Sequence, residues 1–248
     1  MLSATPAAYN SVTMRVGHKL RKLFDPDIMA STREHVHRAL HPVNARKLYL
    51  ELERDKLWEA LRQTYPRELK EVHRFGDTKF WIKRNVERAQ DLSLDRTLHR
   101  HILDLGCGPG YFLYVAQKLG HSGIGLDIDE QPIFRDTLRL LKVHRVIHRI
   151  EPHQPLPIPR ERFDLITSYL TCFHRIERLP DGNWRTWAPD QWQFFLDDVR
   201  ANQLSGSGML LLEFHPQKNS ELYSADVRDV FLRNGARLFR SKVFIRAR

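Results

Sequence analysis

The chain has 248 residues, a mass of 29.3 kDa and a formal net charge of +10, with 42% apolar and 28% charged residues. That composition excludes a collagen-like, mucin-like or wholly disordered chain. No run of eighteen apolar residues occurs, so no transmembrane helix is expected. The two cysteines, Cys107 and Cys172, are too few for a disulfide framework and suit a reducing compartment, so a cytoplasmic location is expected. The charge is uneven: residues 1–100 hold 20 basic against 13 acidic side chains, and the remainder 20 against 17. A basic half can draw nucleic acid, an anionic membrane surface or an acidic substrate, whereas an Arg-rich solvated surface has no such role.

Residues 1–24 contain no acid, and Arg15, Lys19, Arg21 and Lys22 interleave with Val16, Leu20, Leu23 and Phe24 at helical spacing. Such a helix lies on a membrane, acts as a transit segment, or docks on the main domain. Asp25-Pro26 closes that stretch, and Ser31 and Thr32 are candidate caps for a short helix to Leu40, before Pro42. His35, His37 and His41 cluster there without a cysteine, which favours solvated histidines over a zinc site; no metal is expected. Asn44 is a candidate cap for one long helix to about Tyr65. Asp77 or Thr78 opens another to about Leu92, with Phe80, Trp81 and Val86 as its buried candidates. Residues 1–95 therefore read as a helical N-terminal extension or cap, and residues 96–248 as the main domain.

The informative stretch begins at His101. Ile102, Leu103 and Leu105 form a short apolar strand carrying Asp104; Gly106-Cys107-Gly108-Pro109-Gly110 is a tight turn; Phe112, Val115, Ala116 and Leu119 recur at helical spacing. Gly120 ends that helix. A second strand, from Gly123 to Leu126, ends on Asp127, seventeen residues after Gly110. Glycines let a ligand approach the backbone, the helix start offers unpaired N–H groups, and an acid at the next strand tip suits a ribose diol. Strand, turn, helix, strand and acid together signal an adenosine-containing cofactor. The spacing G-x-G-x-G departs from the dinucleotide fingerprint G-x-G-x-x-G, whose third glycine comes one residue later, which disfavours NAD.

The run ILDLGCGPG resembles motif I of the class I S-adenosylmethionine-dependent methyltransferases, whose common form reads L-D-L-G-C-G-x-G. The resemblance extends over about 150 residues to the C-terminus. It implies an α/β fold: a Rossmann-like seven-stranded sheet with helices on both faces, here with the helical N-terminal extension added. It implies S-adenosyl-L-methionine as cofactor. By resemblance Asp127 holds the ribose hydroxyls, with Ile128 beside it. Gly106, Gly108 and Gly110 lie along the methionine and ribose, Asp104 helps fix the amino-acid end, and Tyr111 lies near the sulfonium. The acid that the family places near the adenine corresponds to Glu151, five residues before Leu156-Pro157 and one off the usual offset. Phe163-Asp164-Leu165-Ile166 matches the family's fourth strand, which puts Ser168 at a strand tip facing the cofactor.

Val143 to Ile150 contains the third strand. Tyr169 to Pro189 is an insertion after the fourth strand, and its Phe173, Trp184 and Trp187 can wall an acceptor pocket. Pro189 opens a helix with Trp192, Phe195, Leu196 and Val199 on one face. Met209 to Phe214 is the fifth strand, and Ser220 caps a helix to about Arg233. Residues 236–246 are few for the two strands the resemblance implies at that edge, so an abbreviated edge is expected. His174 and His215 follow the fourth and fifth strands and are the candidate catalytic bases. The expected activity is methyl transfer to O or N of a small-molecule or biosynthetic-intermediate acceptor, an anionic one suiting the basic helices if these close over the site. The alternatives are an RNA or DNA methyltransferase using the basic half, and a non-catalytic protein that keeps the fold.

Overall fold

In a computed structural model the described residues are 26–65, 75–158, 162–215 and 224–247. The basic stretch at residues 15–24 and the Ser220 cap lie outside them. The chain divides into two units, Met1–Val43 and Asn44–Arg248.

In the first unit, α1 (Pro26–Leu40) begins at Pro26 itself, not at Ser31 or Thr32. Proline suits the first helical position because its missing N–H would be unpaired there anyway.

The second unit opens with α2 (Ala45–Glu53) and α3 (Lys56–Thr64). Asn44 caps α2 as expected, its Oδ1 accepting the Lys47 amide at 3.0 Å. The single long helix is nevertheless broken, because Asp55 takes an extended conformation and caps α3 by accepting the Leu57 amide at 2.8 Å. Asp77 caps α4 (Thr78–Asp91) through the Phe80 amide at 2.9 Å. The buried face of α4 is Thr78, Ile82, Asn85, Val86, Arg88 and Ala89, while Phe80 points to solvent. Polar residues belong on that face because the sheet beneath it is itself polar.

The sheet has seven strands in the order β3-β2-β1-β4-β7-β9-β8. These are β1 (His101–Leu105), β2 (Ser122–Asp127), β3 (His144–Ile147), β4 (Phe163–Tyr169), β7 (Leu204–Glu213), β8 (Arg237–Phe239) and β9 (Lys242–Arg246). The first five run parallel, and β9 pairs antiparallel with both β7 and β8. Both edge strands are present, β8 with three residues, because a two-residue turn with Arg240 at φ 51° joins them. A separate two-stranded hairpin, β5 (Arg175–Arg178) and β6 (Trp184–Thr186), occupies the insertion after β4.

Alternation along the strands divides the core. Leu103, Leu105, Ile166, Leu210, Leu212, Val243 and Ile245 join the apolar core with α7 (Pro189–Asp198) and α8 (Ala225–Arg233), centred on Trp187, Trp192, Phe195 and Phe231. On the opposite face, α4 and α5 (Tyr111–Lys118) cover Asp104, Thr167, Tyr169 and Glu213. There Phe112 meets the Tyr169 ring edge-on at 5.0 Å and Arg88 sits over that ring at 4.1 Å. Helix α6 (Pro132–Leu141) links β2 to β3. A π-helical turn at Val199–Gln203 follows α7 and leads directly into β7, which therefore starts five residues before Met209.

Candidate active site

A cavity of about 620 Å³ opens at the C-terminal ends of the parallel strands. This is where open α/β sheets bind their ligands. Its lining falls into two groups. The first comprises Gly106, Leu126, Asp127, Ile128 and residues 148–152, from the tips of β1, β2 and β3. The second comprises Thr171, Cys172, Phe173, Arg175, Ile176, Trp184 and Trp187, from the insertion after β4. Among the described residues, none before Gly106 lines it, so α2, α3 and α4 form no lid over this cavity.

The glycine turn is shaped by close approach. Gly106 has φ 72°, and a Cβ there would fall inside the Thr171 side chain, itself held by donation from Oγ1 to the Leu105 carbonyl at 3.0 Å. Gly108 (φ 53°) donates its amide to Asp127 Oδ2 at 2.5 Å, and Ile128 donates its own to Oδ1 at 2.7 Å. Burial raises the Asp127 pKa above the ordinary carboxylate value, against the pull of those two amides and of Arg145. Gly110 (φ 83°) begins α5 and packs beneath Leu138 and Val143.

Sequence-derived site residues thus separate. Gly106, Asp127, Ile128 and Glu151 line the cavity. Gly108 and Gly110 shape its floor without lining it. Asp104 lies beneath the floor, 3% exposed, and accepts from Thr167 Oγ1 at 2.7 Å. Desolvation raises its pKa to about 7, opposed by the Thr167 hydrogen bond and by Arg88. Ser168 is buried and not part of the lining. Tyr111 is also buried, donating its hydroxyl to the Phe75 carbonyl at 3.0 Å and meeting Trp58 edge-on, which turns it away from the cavity.

The two histidines are placed differently from the sequence expectation. Leu170 takes a left-handed φ of 58° and donates its amide to the Glu213 carbonyl at 2.7 Å, turning the chain sharply after β4. Thr171, Cys172 and Phe173 then line the cavity while His174 enters the aromatic core, 5.4 Å from Phe214 and 5.8 Å from Trp192. Desolvation first, then Arg175 and His215, lowers the His174 pKa to about 4. His215 is half-buried beyond β7, and neither imidazole lines the cavity. Arg175, Ile176, His148 and Arg149 were not singled out by sequence. The last two follow the tip of β3, beside Asp127 in the sheet, and strand order alone would have nominated them.

The model of a methyltransferase domain family matches residues 61–228, and the chain belongs to that family. No curated protein matches it. Among solved structures it resembles DesVI from Streptomyces venezuelae at 12% identity, with a TM-score of 0.51, covering 73% of this chain and 97% of that one. It also resembles a TehB-like SAM-dependent methyltransferase from Corynebacterium glutamicum at 18% identity, with a TM-score of 0.45, covering 77% of this chain and 99% of that one. The family match together with the seven-stranded sheet defines a class I methyltransferase, a transferase whose cofactor is S-adenosyl-L-methionine. The residues present fit that cofactor: a glycine turn without Cβ atoms, a carboxylate at the tip of β2, and a cavity of small-molecule size. Among the described residues no helix is long and apolar enough to cross a membrane.

Proposed function

We propose that the protein transfers a methyl group to an oxygen or nitrogen of a small molecule held against residues 171–187. One observation carries this reading: a single cavity runs from Asp127 and Gly106 to the aromatic wall of Phe173, Trp184 and Trp187. Cofactor and acceptor share one cavity on this reading, at a volume suited to small ligands.

When bound, S-adenosylmethionine supplies an electrophilic methyl group on a sulfonium, and transfer leaves the neutral thioether. Asp127, which holds the Gly108 and Ile128 amides, would accept the ribose hydroxyls, so that one carboxylate would fix both the glycine turn and the ribose. Ile128, Ile150 and Glu151 would hold the adenine. Thr171, locked over Gly106, sets the floor between cofactor and acceptor. Alignment of the two reactants supplies most of the acceleration. His174 takes no proton in this scheme: a pKa of about 4 makes it a weak base at neutral pH, and the imidazole is packed among aromatic rings.

A screen of metabolites, RNA and DNA with methyl-labelled cofactor tests the proposal. Label appearing in a small molecule supports it. Label appearing only in nucleic acid, with salt-dependent binding, sinks it in favour of the basic half as a phosphate-binding face.

A further inference from the structure

We infer that the acceptor is a flat apolar molecule bearing a carboxylate, with Arg175 as the side chain that reads the anion. The inference rests on the proposed use of the cavity for methyl transfer and goes on to its charge. The charged or titratable groups on its walls are Asp127, His148, Arg149, Glu151, Cys172 and Arg175. Three of the charged side chains have a partner in the protein. Asp127 accepts two backbone amides. Arg149 forms an ion pair with Glu130. Glu151 accepts from Gln154 Nε2 at 2.9 Å. Arg175 has no carboxylate partner among the described residues; its guanidinium lies 5.4 Å from the centre of the Trp184 ring.

That placement is specific. The Arg175 amide donates to the Cys172 carbonyl at 2.9 Å, fixing the start of β5; across the hairpin Arg175 pairs with Thr186 and Arg178 with Trp184, and the Trp184 ring reaches back towards the Arg175 guanidinium. A turn at residues 179–183 closes the hairpin, with the Leu179 amide on the Asn183 carbonyl at 2.8 Å and the Asn183 amide on Asp181 at 2.9 Å. A guanidinium in cation–π reach of an aromatic ring is drawn towards its face, and its planar fork matches a carboxylate with two parallel hydrogen bonds. Ile176 and Trp184 are both 43% exposed beside it, and Phe173 and Trp187 back the wall. Rings of this kind bind a flat apolar body. The cofactor's sulfonium brings a positive charge into the cavity that already holds Arg175. The guanidinium offers an anionic acceptor a charged hydrogen-bond partner that a neutral or cationic acceptor leaves unused.

The test is calorimetry on the full chain, first with S-adenosylhomocysteine and then, on the loaded protein, with paired probes: benzoate, 2-naphthoate and indole-3-carboxylate, each beside its carboxamide. At least one acid is expected to bind about tenfold or more tightly than its amide, the scale of hydrogen bonds to a charged group. Arg175→Gln abolishes the preference and leaves S-adenosylhomocysteine affinity within about threefold. Arg175→Lys, which keeps the charge and loses the fork, retains a reduced preference. Trp184→Ala weakens acid and amide alike. No acid preference in any pair, including no binding of either member, overturns the inference, as does a preference that survives Arg175→Gln. Failure of the underlying methyl-transfer reading shows separately, as no small molecule labelled in the screen with methyl-labelled cofactor, and failure of cofactor binding as absence of heat in the first titration.

Discussion

The carboxylate of Asp127 accepts the Gly108 amide at 2.5 Å, so the acid at the tip of β2 fixes the glycine turn at the tip of β1. One side chain thereby fixes the shape of the site, and on the proposed function it also meets the ribose. Asp127→Ala is expected to weaken S-adenosylhomocysteine binding by roughly 1.5–3 kcal/mol, the value of hydrogen bonds to a charged group. An unchanged dissociation constant in calorimetry would mean that the ribose is held elsewhere.

Gly106 and Gly120 both have left-handed backbones, at φ 72° and 92°, but differ in their surroundings. A Cβ on Gly120 meets nothing within 4 Å, whereas one on Gly106 collides with Thr171. Alanine at either position incurs the backbone strain, of order 1 kcal/mol or more. Gly106→Ala is expected to cost about 1–3 kcal/mol beyond Gly120→Ala through overpacking. Urea unfolding of the two variants measures the difference, and equal midpoints would contradict the assigned close approach.

Asp104 and His174 make opposite contributions to the pH dependence of stability. Asp104 has a folded pKa of about 7 against 3.8, so the folded state binds more protons across that interval and its contribution is lost as pH rises from about 4 to 7. His174 has a folded pKa of about 4 against 6.5, so the unfolded state binds more protons and stability falls as pH drops from 6.5 towards 4. The two slopes offset each other in the parent protein. Asp104→Asn is expected to unmask a stability that rises with pH between 4 and 6.5, and His174→Gln one that falls. Denaturation midpoints against pH read both; slopes unchanged from the parent would refute the assigned burial.

His174→Gln and His215→Gln are expected to lower methyl-transfer turnover by less than about tenfold once an acceptor is in hand. A base would account for 10²–10⁴ in rate. A loss on that scale in either variant, with cofactor affinity intact, would restore an imidazole as the base.

Much of this architecture is readable from sequence because its signals are local. The turn at Gly106 to Gly110 needs positive φ, Asp127 sits at a fixed distance along a strand–helix–strand unit, and the apolar runs of β1, β4 and β7 are those of strands buried on both faces. What stayed hidden depends on three-dimensional neighbours. Arg88 and Asn85 face inwards on α4 because Asp104, Tyr169 and Glu213 are what α4 covers. The long helix breaks at Asp55, a residue that caps as readily as it continues. The hairpin β5–β6 is announced by Pro180-Asp181-Gly182-Asn183, a turn signal whose flanking strands are only four and three residues long. His174 looks like a strand-tip base until the left-handed Leu170 turns it into the aromatic core.

The most direct measurement is titration calorimetry of the purified chain with S-adenosylhomocysteine and, separately, with NAD. The account predicts one-to-one binding of S-adenosylhomocysteine with a dissociation constant on the order of micromolar, weakened in Asp127→Ala, and NAD binding far weaker. Heat with NAD and none with S-adenosylhomocysteine would contradict it.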